Sequence, residues 1–150
     1  MITYQKETFA ALSQEAEELF KKHYEESADH LDRFPLAMNL KAYLTLESKH
    51  RLETYTVRDG NKLIGYSVWM LIRPIHYSHN EVASSALIYL LPEYRKGLEG
   101  YKFIKWSIEH LKQREVERIL VSIKANNDFG NILKRLGASD YEKVYSIVLD

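Results

Sequence analysis

Cysteine is absent from this 150-residue chain. Its absence excludes disulfides, a thiolate nucleophile and zinc–thiolate sites. A surplus of either charge is absent too, with 21 basic against 21 acidic side chains. That balance argues against a long nucleic-acid contact surface and leaves room only for a local patch. No apolar run approaches the ~20 residues of a membrane-spanning helix. The opening residues carry no signal-like pattern, and no repeat, low-complexity segment or linker interrupts the chain. These absences predict a soluble, cytoplasmic protein with no membrane contact, folded as a single domain over residues 1–150. With 45% hydrophobic residues, the chain is large and apolar enough to build its own core.

The most informative stretch is Pro92-Glu93-Tyr94-Arg95-Lys96-Gly97-Leu98-Glu99-Gly100. It follows the apolar run Ala86 to Leu91 and precedes a segment with helical periodicity, Tyr101 to Gln113. A buried strand, a short glycine-containing loop and a helix start thus come in succession. That order aims free backbone N–H groups at one spot, at the positive end of a helix dipole, where phosphate binds. Arg95 and Lys96 add two cations.

Around this stretch, Ile2 to Gln5 reads as a short strand. Thr8 caps a helix running to about Glu26, and Leu36 to Ser48 reads as a second helix. Leu52–Val57 and Lys62–Ile72 are strands joined at Arg58-Asp59-Gly60-Asn61, a tight hairpin signal. Pro74 ends the second, and a loop carries His76, Tyr77 and His79. Glu81 to Leu91 is the fourth strand. Glu117 to Lys124 is a fifth, Phe129 to Leu136 a short helix stopped by Gly137, and Tyr141 to Val148 one or two closing strands. The order β-α-α-β-β-β-α-β-α-β predicts an α/β architecture of the α+β kind, a mixed sheet covered on both faces. His76 and His79 have no third ligand at helical or hairpin spacing, so no metal site is predicted.

The order and the loop resemble the GNAT superfamily of acetyl-CoA-dependent N-acyltransferases. The signature of that family, Gln/Arg-x-x-Gly-x-Gly/Ala, is met by Arg95 at its first position and Gly100 at its last. Leu98 stands at the usual glycine and Gly97 comes one residue early. Asn126-Asn127 with Lys134-Arg135-Leu136-Gly137 is similar to the family's "Asn, short helix, Lys-Leu-Gly-Phe" segment. Asp59-Gly60 through Ile64-Gly65-Tyr66 is similar to its hairpin. With His76-Tyr77, the combination looks like small acetyltransferase-like proteins of bacteriophages, which would place the protein in a host cytoplasm.

The resemblance implies a GNAT-like acyl-CoA N-acyltransferase fold and acetyl-CoA as cofactor. The diphosphate of CoA would lie on the loop formed by Arg95, Lys96, Gly97, Leu98, Glu99, Gly100 and Tyr101. Its pantetheine arm would enter a gap between the fourth and fifth strands and pair with main chain near Tyr89, Leu90 and Leu91, with Asn126 and Asn127 opposite. The acceptor would be an amine-bearing small molecule or a protein lysine, and many relatives are homodimers. Acetyl transfer needs a neutral amine and a proton for the departing thiolate. The family's usual tyrosine acid falls on Leu133, so Tyr141 is the candidate acid and Glu81 or His76 the candidate base. A second reading is a binding protein that keeps the fold with little or no transferase activity and acts on a host protein or nucleic acid.

Overall fold

The computed structural model describes all 150 residues. One five-stranded sheet runs in the order β1-β2-β3-β4-β5. Its strands are β1 (Ile2–Glu7), β2 (Leu52–Asp59), β3 (Lys62–Ile72), β4 (Val82–Leu90) and β5 (Arg118–Leu120). The first four pair antiparallel, and β5 joins β4 in parallel. The β2–β3 hairpin turns on Gly60, whose φ of +59° is the left-handed conformation that glycine enters without strain.

Five helices complete the fold: α1 (Phe9–Glu15), α2 (Glu17–Ser27), α3 (Leu40–Ser48), α4 (Glu99–Leu111) and α5 (Gly130–Arg135). The Thr8 hydroxyl caps α1 by accepting from the Ala11 N–H at 3.0 Å. The helix expected over 8–26 is divided at Ala16, a buried residue that lets Phe9, Leu12 and Phe20 all face the core. The helix expected from Leu36 begins later because Asn39 caps it, accepting from the Ala42 N–H at 3.0 Å.

Neighbouring residues of β3 show which helix covers which face. Tyr66 meets Phe20 of α2 edge-on at 5.2 Å between ring centres. Ser67 shares a 2.9 Å hydrogen bond with Ser107 of α4. Consecutive strand residues point to opposite faces, so α2 and α4 lie on opposite sides of the sheet. The mixed sheet covered on both faces is therefore present. Ser67 also accepts from the Trp69 indole N–H at 3.0 Å, so the polar atoms buried under α4 are mutually satisfied.

Two expectations fail at the C-terminal end. β5 spans three residues rather than 117–124, and Tyr141 to Val148 forms no strand. No residue after Ala138 makes a backbone hydrogen bond. A strand exists only where a neighbour accepts its ladder, and β propensity alone does not supply one. The observed order is β-α-α-α-β-β-β-α-β-α.

Candidate functional site

The parallel pairing of β4 with β5 covers only Val82 to Ser84 against Arg118 to Leu120. Beyond that the two strands part, and the Ser122 N–H reaches the Ser85 hydroxyl rather than a backbone carbonyl. Opposite β3, the register of β4 slips between Val68 and Trp69, leaving Ala86 as an extra residue. From Ser85 to Leu90, one edge of β4 is thus without a strand partner.

A cleft of about 440 Å³ fills the gap. Its walls include Ile88, Tyr89 and Leu90 of β4, Phe103 and Ile104 of α4, and Phe129 and Ile132 at α5. Its mouth is the loop before α4, with Gly97, Gly100 and Tyr101. The N–H groups of Lys96 through Tyr101 donate no hydrogen bond inside the protein, and the first helical bond of α4 runs from Lys102 to Leu98. Gly97 turns the chain at φ +77°. A Cβ at Gly100 would stand 3.3 Å from Ile132, so glycine there lets α4 and α5 close up on the mouth. A row of unbonded amides at the start of a 13-residue helix is an anion-binding arrangement.

The expected cofactor residues divide by position. Tyr89, Leu90, Arg95, Gly97, Gly100, Tyr101 and Asn127 border the cleft. Leu91 turns into the core, its N–H donating to the Ile64 carbonyl. Lys96, Leu98 and Asn126 are exposed beside the cleft. The Glu99 carboxylate faces away, accepting from the Tyr4 hydroxyl at 3.0 Å.

Arg95 serves differently from the expectation of a free cation. Its guanidinium forms a two-pronged pair with Glu26 of α2, its Nε donates to the Leu90 carbonyl at 2.8 Å, and it lies over the Tyr89 ring. The same guanidinium holds the Glu26 carboxyl below the usual carboxylate range. Behind Tyr89, His23 stacks on its ring at 4.9 Å and shares a 2.9 Å hydrogen bond with Tyr66. Burial pushes His23 down to about 4, so the ring is neutral at pH 7. The end of α2 is tied across to the far wall as well, because the Asn127 amide donates to Ser27 at 3.2 Å.

A cation left unpaired at the mouth is Arg135. It makes no ion pair, borders the cleft and lies 5.0 Å from the Tyr101 ring centre. Sequence reasoning had it only within a family-like string. Helical spacing offers a signal: Arg135 follows Ile132 by three positions, one turn along the same face of α5.

The expected acid and bases lie outside the cleft. Glu81 is clasped by Arg51 and Arg73, the latter at 2.7 Å, and both hold its carboxyl below the usual range. A carboxylate so paired is a poor proton acceptor. His76 sits on an exposed single turn at Ile75–Tyr77. The Tyr141 hydroxyl accepts from Arg118 at 3.1 Å, beside a separate hollow. Leu133 is buried against the core face of α5.

No protein-family model matches the chain, and no curated protein matches it in sequence. Solved structures do match in shape. One is a predicted acetyltransferase from Clostridium acetobutylicum with acetyl-CoA, at 12% identity and TM-score 0.72, covering 99% of this chain and 96% of that one. Another is a ribosomal-protein-alanine N-acetyltransferase from Brucella melitensis biovar Abortus 2308, at 12% identity and TM-score 0.71, covering both chains completely. A third is an aminoglycoside acetyltransferase from an uncultured soil metagenomic sample in complex with sisomicin, at 12% identity and TM-score 0.71, covering 99% and 97%. The chain therefore has the fold of the GNAT-type acetyltransferases. At these identities the likeness is one of fold.

Proposed function

We propose that this protein binds acetyl-CoA in the β4–β5 cleft and transfers the acetyl group directly to a primary amine. The observation that carries the reading is the row of unbonded N–H groups from Lys96 to Tyr101, set at the mouth of a cleft that opens along the free edge of β4. A diphosphate suits such a row, and Arg135 adds an uncommitted positive charge. The edge of β4 turned away from β3 between Ser85 and Tyr89 offers main-chain partners to a pantetheine arm, while Ile88, Ile104, Phe129 and Ile132 wall it from water.

Acetyl-CoA, when bound, supplies the acyl group as a thioester. The contribution of the chain is to hold and align it so that an amine meets a positioned carbonyl. With no cysteine to accept the acetyl group, the reading is direct attack by the neutral amine: the C–N bond forms, the C–S bond breaks, and CoA leaves as a thiolate that takes up the proton given up by the nitrogen. An amine that sheds its proton to water before binding needs no base in the cleft. The acceptor class is a small amine-bearing molecule or a protein lysine. The ribosomal-protein-alanine and aminoglycoside enzymes of the same fold support an amine acceptor.

Calorimetric titration with acetyl-CoA and CoA, followed by thiol-release assays over an amine panel, tests this. The protein has no thiol of its own, so the reagent reports CoA alone. Both ligands are expected to bind, and a ligand at a hundred times its dissociation constant adds about 2.7 kcal/mol of stability. Failure of both to bind refutes the proposal. The positions of His76, Glu81 and Tyr141 away from the cleft keep a second reading in view, a binding protein of the same fold with little or no transferase activity that acts on a host protein or nucleic acid. Tight binding with no turnover on any amine would select it.

A further inference from the structure

Toward its mouth, the gap between β4 and β5 has no ladder to set its width. The two strands pair over three residues at the far end, and beyond Leu120 no backbone bond joins them. On one face of the sheet α4 packs on α5, where a Cβ at Gly100 would stand 3.3 Å from Ile132. On the other face the two walls are joined through the last turn of α2. Glu26 takes the Arg95 guanidinium in two bonds, one of them 2.8 Å, and Arg95 in turn holds the Leu90 carbonyl at the end of β4. The next residue, Ser27, is buried and accepts from the Asn127 side-chain amide at 3.2 Å, on the opposite wall. Two adjacent residues of one helix thus reach both lips of the cleft.

Glu26 does nothing for the helix that carries it. A carboxylate in a last turn faces the negative end of the helix dipole, and α2 has no basic residue there to offset it. Its partner is across the molecule, in the loop before α4. The pair is sheltered, with Arg95 35% and Glu26 26% exposed, and its two-pronged geometry fixes orientation as well as distance. Arg95 also lies over the ring of Tyr89, a cleft-wall residue on which His23 of the same helix stacks from behind. Three successive contacts of α2 therefore converge on the cleft, at His23, Glu26 and Ser27.

We propose that the last turn of α2 is a clasp that sets the spacing of the two lips, with Glu26 and Ser27 as positioning residues acting through Arg95 and Asn127. The proposal rests on the acetyl-CoA reading for the identity of the occupant and on the structure alone for the clasp. Arg95 serves the cofactor by holding the wall in place, and its charge stays with Glu26.

Two measurements on the full chain test it. With no native cysteine, spin labels go selectively onto Lys96→Cys and Asn126→Cys, exposed positions on opposite lips, and report the distance between them without any ligand. A narrow distribution is expected with the clasp intact and a broader one when Glu26→Gln/Ser27→Ala is added. Titration calorimetry of the unlabelled double variant is expected to show CoA binding weakened about tenfold or more, the scale of one lost charge-assisted bond. Should the double variant fail to fold, as judged by circular dichroism, Ser27→Ala alone replaces it with the same two readouts. An unchanged lip distance overturns the proposal, whatever CoA does. So does CoA binding that is unchanged or tighter, the result expected if Glu26 merely competes with the diphosphate for Arg95. A wild type that binds no CoA refutes the acetyl-CoA reading, and the lip distance still decides the clasp.

Discussion

Arg95 and Arg135 stand at one mouth with opposite commitments, and the difference sets what each substitution does. Arg135 has no carboxylate partner and lies over the half-buried Tyr101 ring, so Arg135→Ala keeps the fold and removes a charge facing the cleft. It is expected to cost CoA binding about 1.5–3 kcal/mol, the worth of a charge-assisted bond, read by titration calorimetry with an unchanged melting temperature. His23 carries a pH signature. Its folded pKa of about 4 lies below its ordinary 6.5. Between those values the unfolded chain binds a proton that the folded chain refuses, so stability falls as pH drops from about 6.5 to about 4 and is unaffected by this group above that window. The full loss is up to about 3 kcal/mol. Urea denaturation from pH 7.5 to 4.5 is expected to show this slope in the wild type and a shallower one in His23→Phe. An equal slope in both would remove His23 as its origin.

At the scale of elements, the cleft exists because β4 approaches β3 closely and leaves β5 early. Gly65 makes the first possible: a Cβ there would meet the Tyr89 carbonyl at 2.5 Å and Val57 at 2.9 Å. Gly65→Ala must push β4 sideways at Tyr89, in the cleft wall. It is expected to destabilise the fold by about 1–3 kcal/mol, as overpacking does, and to weaken CoA binding with it, measured by urea denaturation and titration on the same variant. Leu133, at the family's tyrosine position, is part of the buried face of α5 rather than an open slot. Leu133→Tyr overfills that face and is expected to lower stability by about 1–3 kcal/mol, visible as an earlier denaturation midpoint. The strands β1 to β4 and helix α4 were legible from periodicity and the Asp-Gly turn because local pattern and burial agree there. The divided first helix and the short β5 were not. Their limits depend on which neighbour supplies a packing surface or a ladder, and local sequence does not carry that.

For the whole molecule, a ligand that binds only the folded chain stabilises it by mass action. CoA is therefore expected to raise the melting temperature progressively as its concentration rises, read by differential scanning fluorimetry. What the sequence determined alone is the class of fold and the loop whose amides are left free. Apolar periodicity selects strand or helix locally, and a strand, glycine loop and helix in succession align their amides by covalent connection. Only the tertiary structure decided which charges are free. Arg95 and Arg135 look alike in sequence, but Glu26, 69 residues before Arg95, takes up one and leaves the other to face the cleft. Glu81 and Tyr141 are likewise taken up by arginines away from the cleft, and His76 lies on an exposed turn. A side chain's chemistry follows from its neighbours in space, and those are set by packing across the sheet rather than by spacing along the chain.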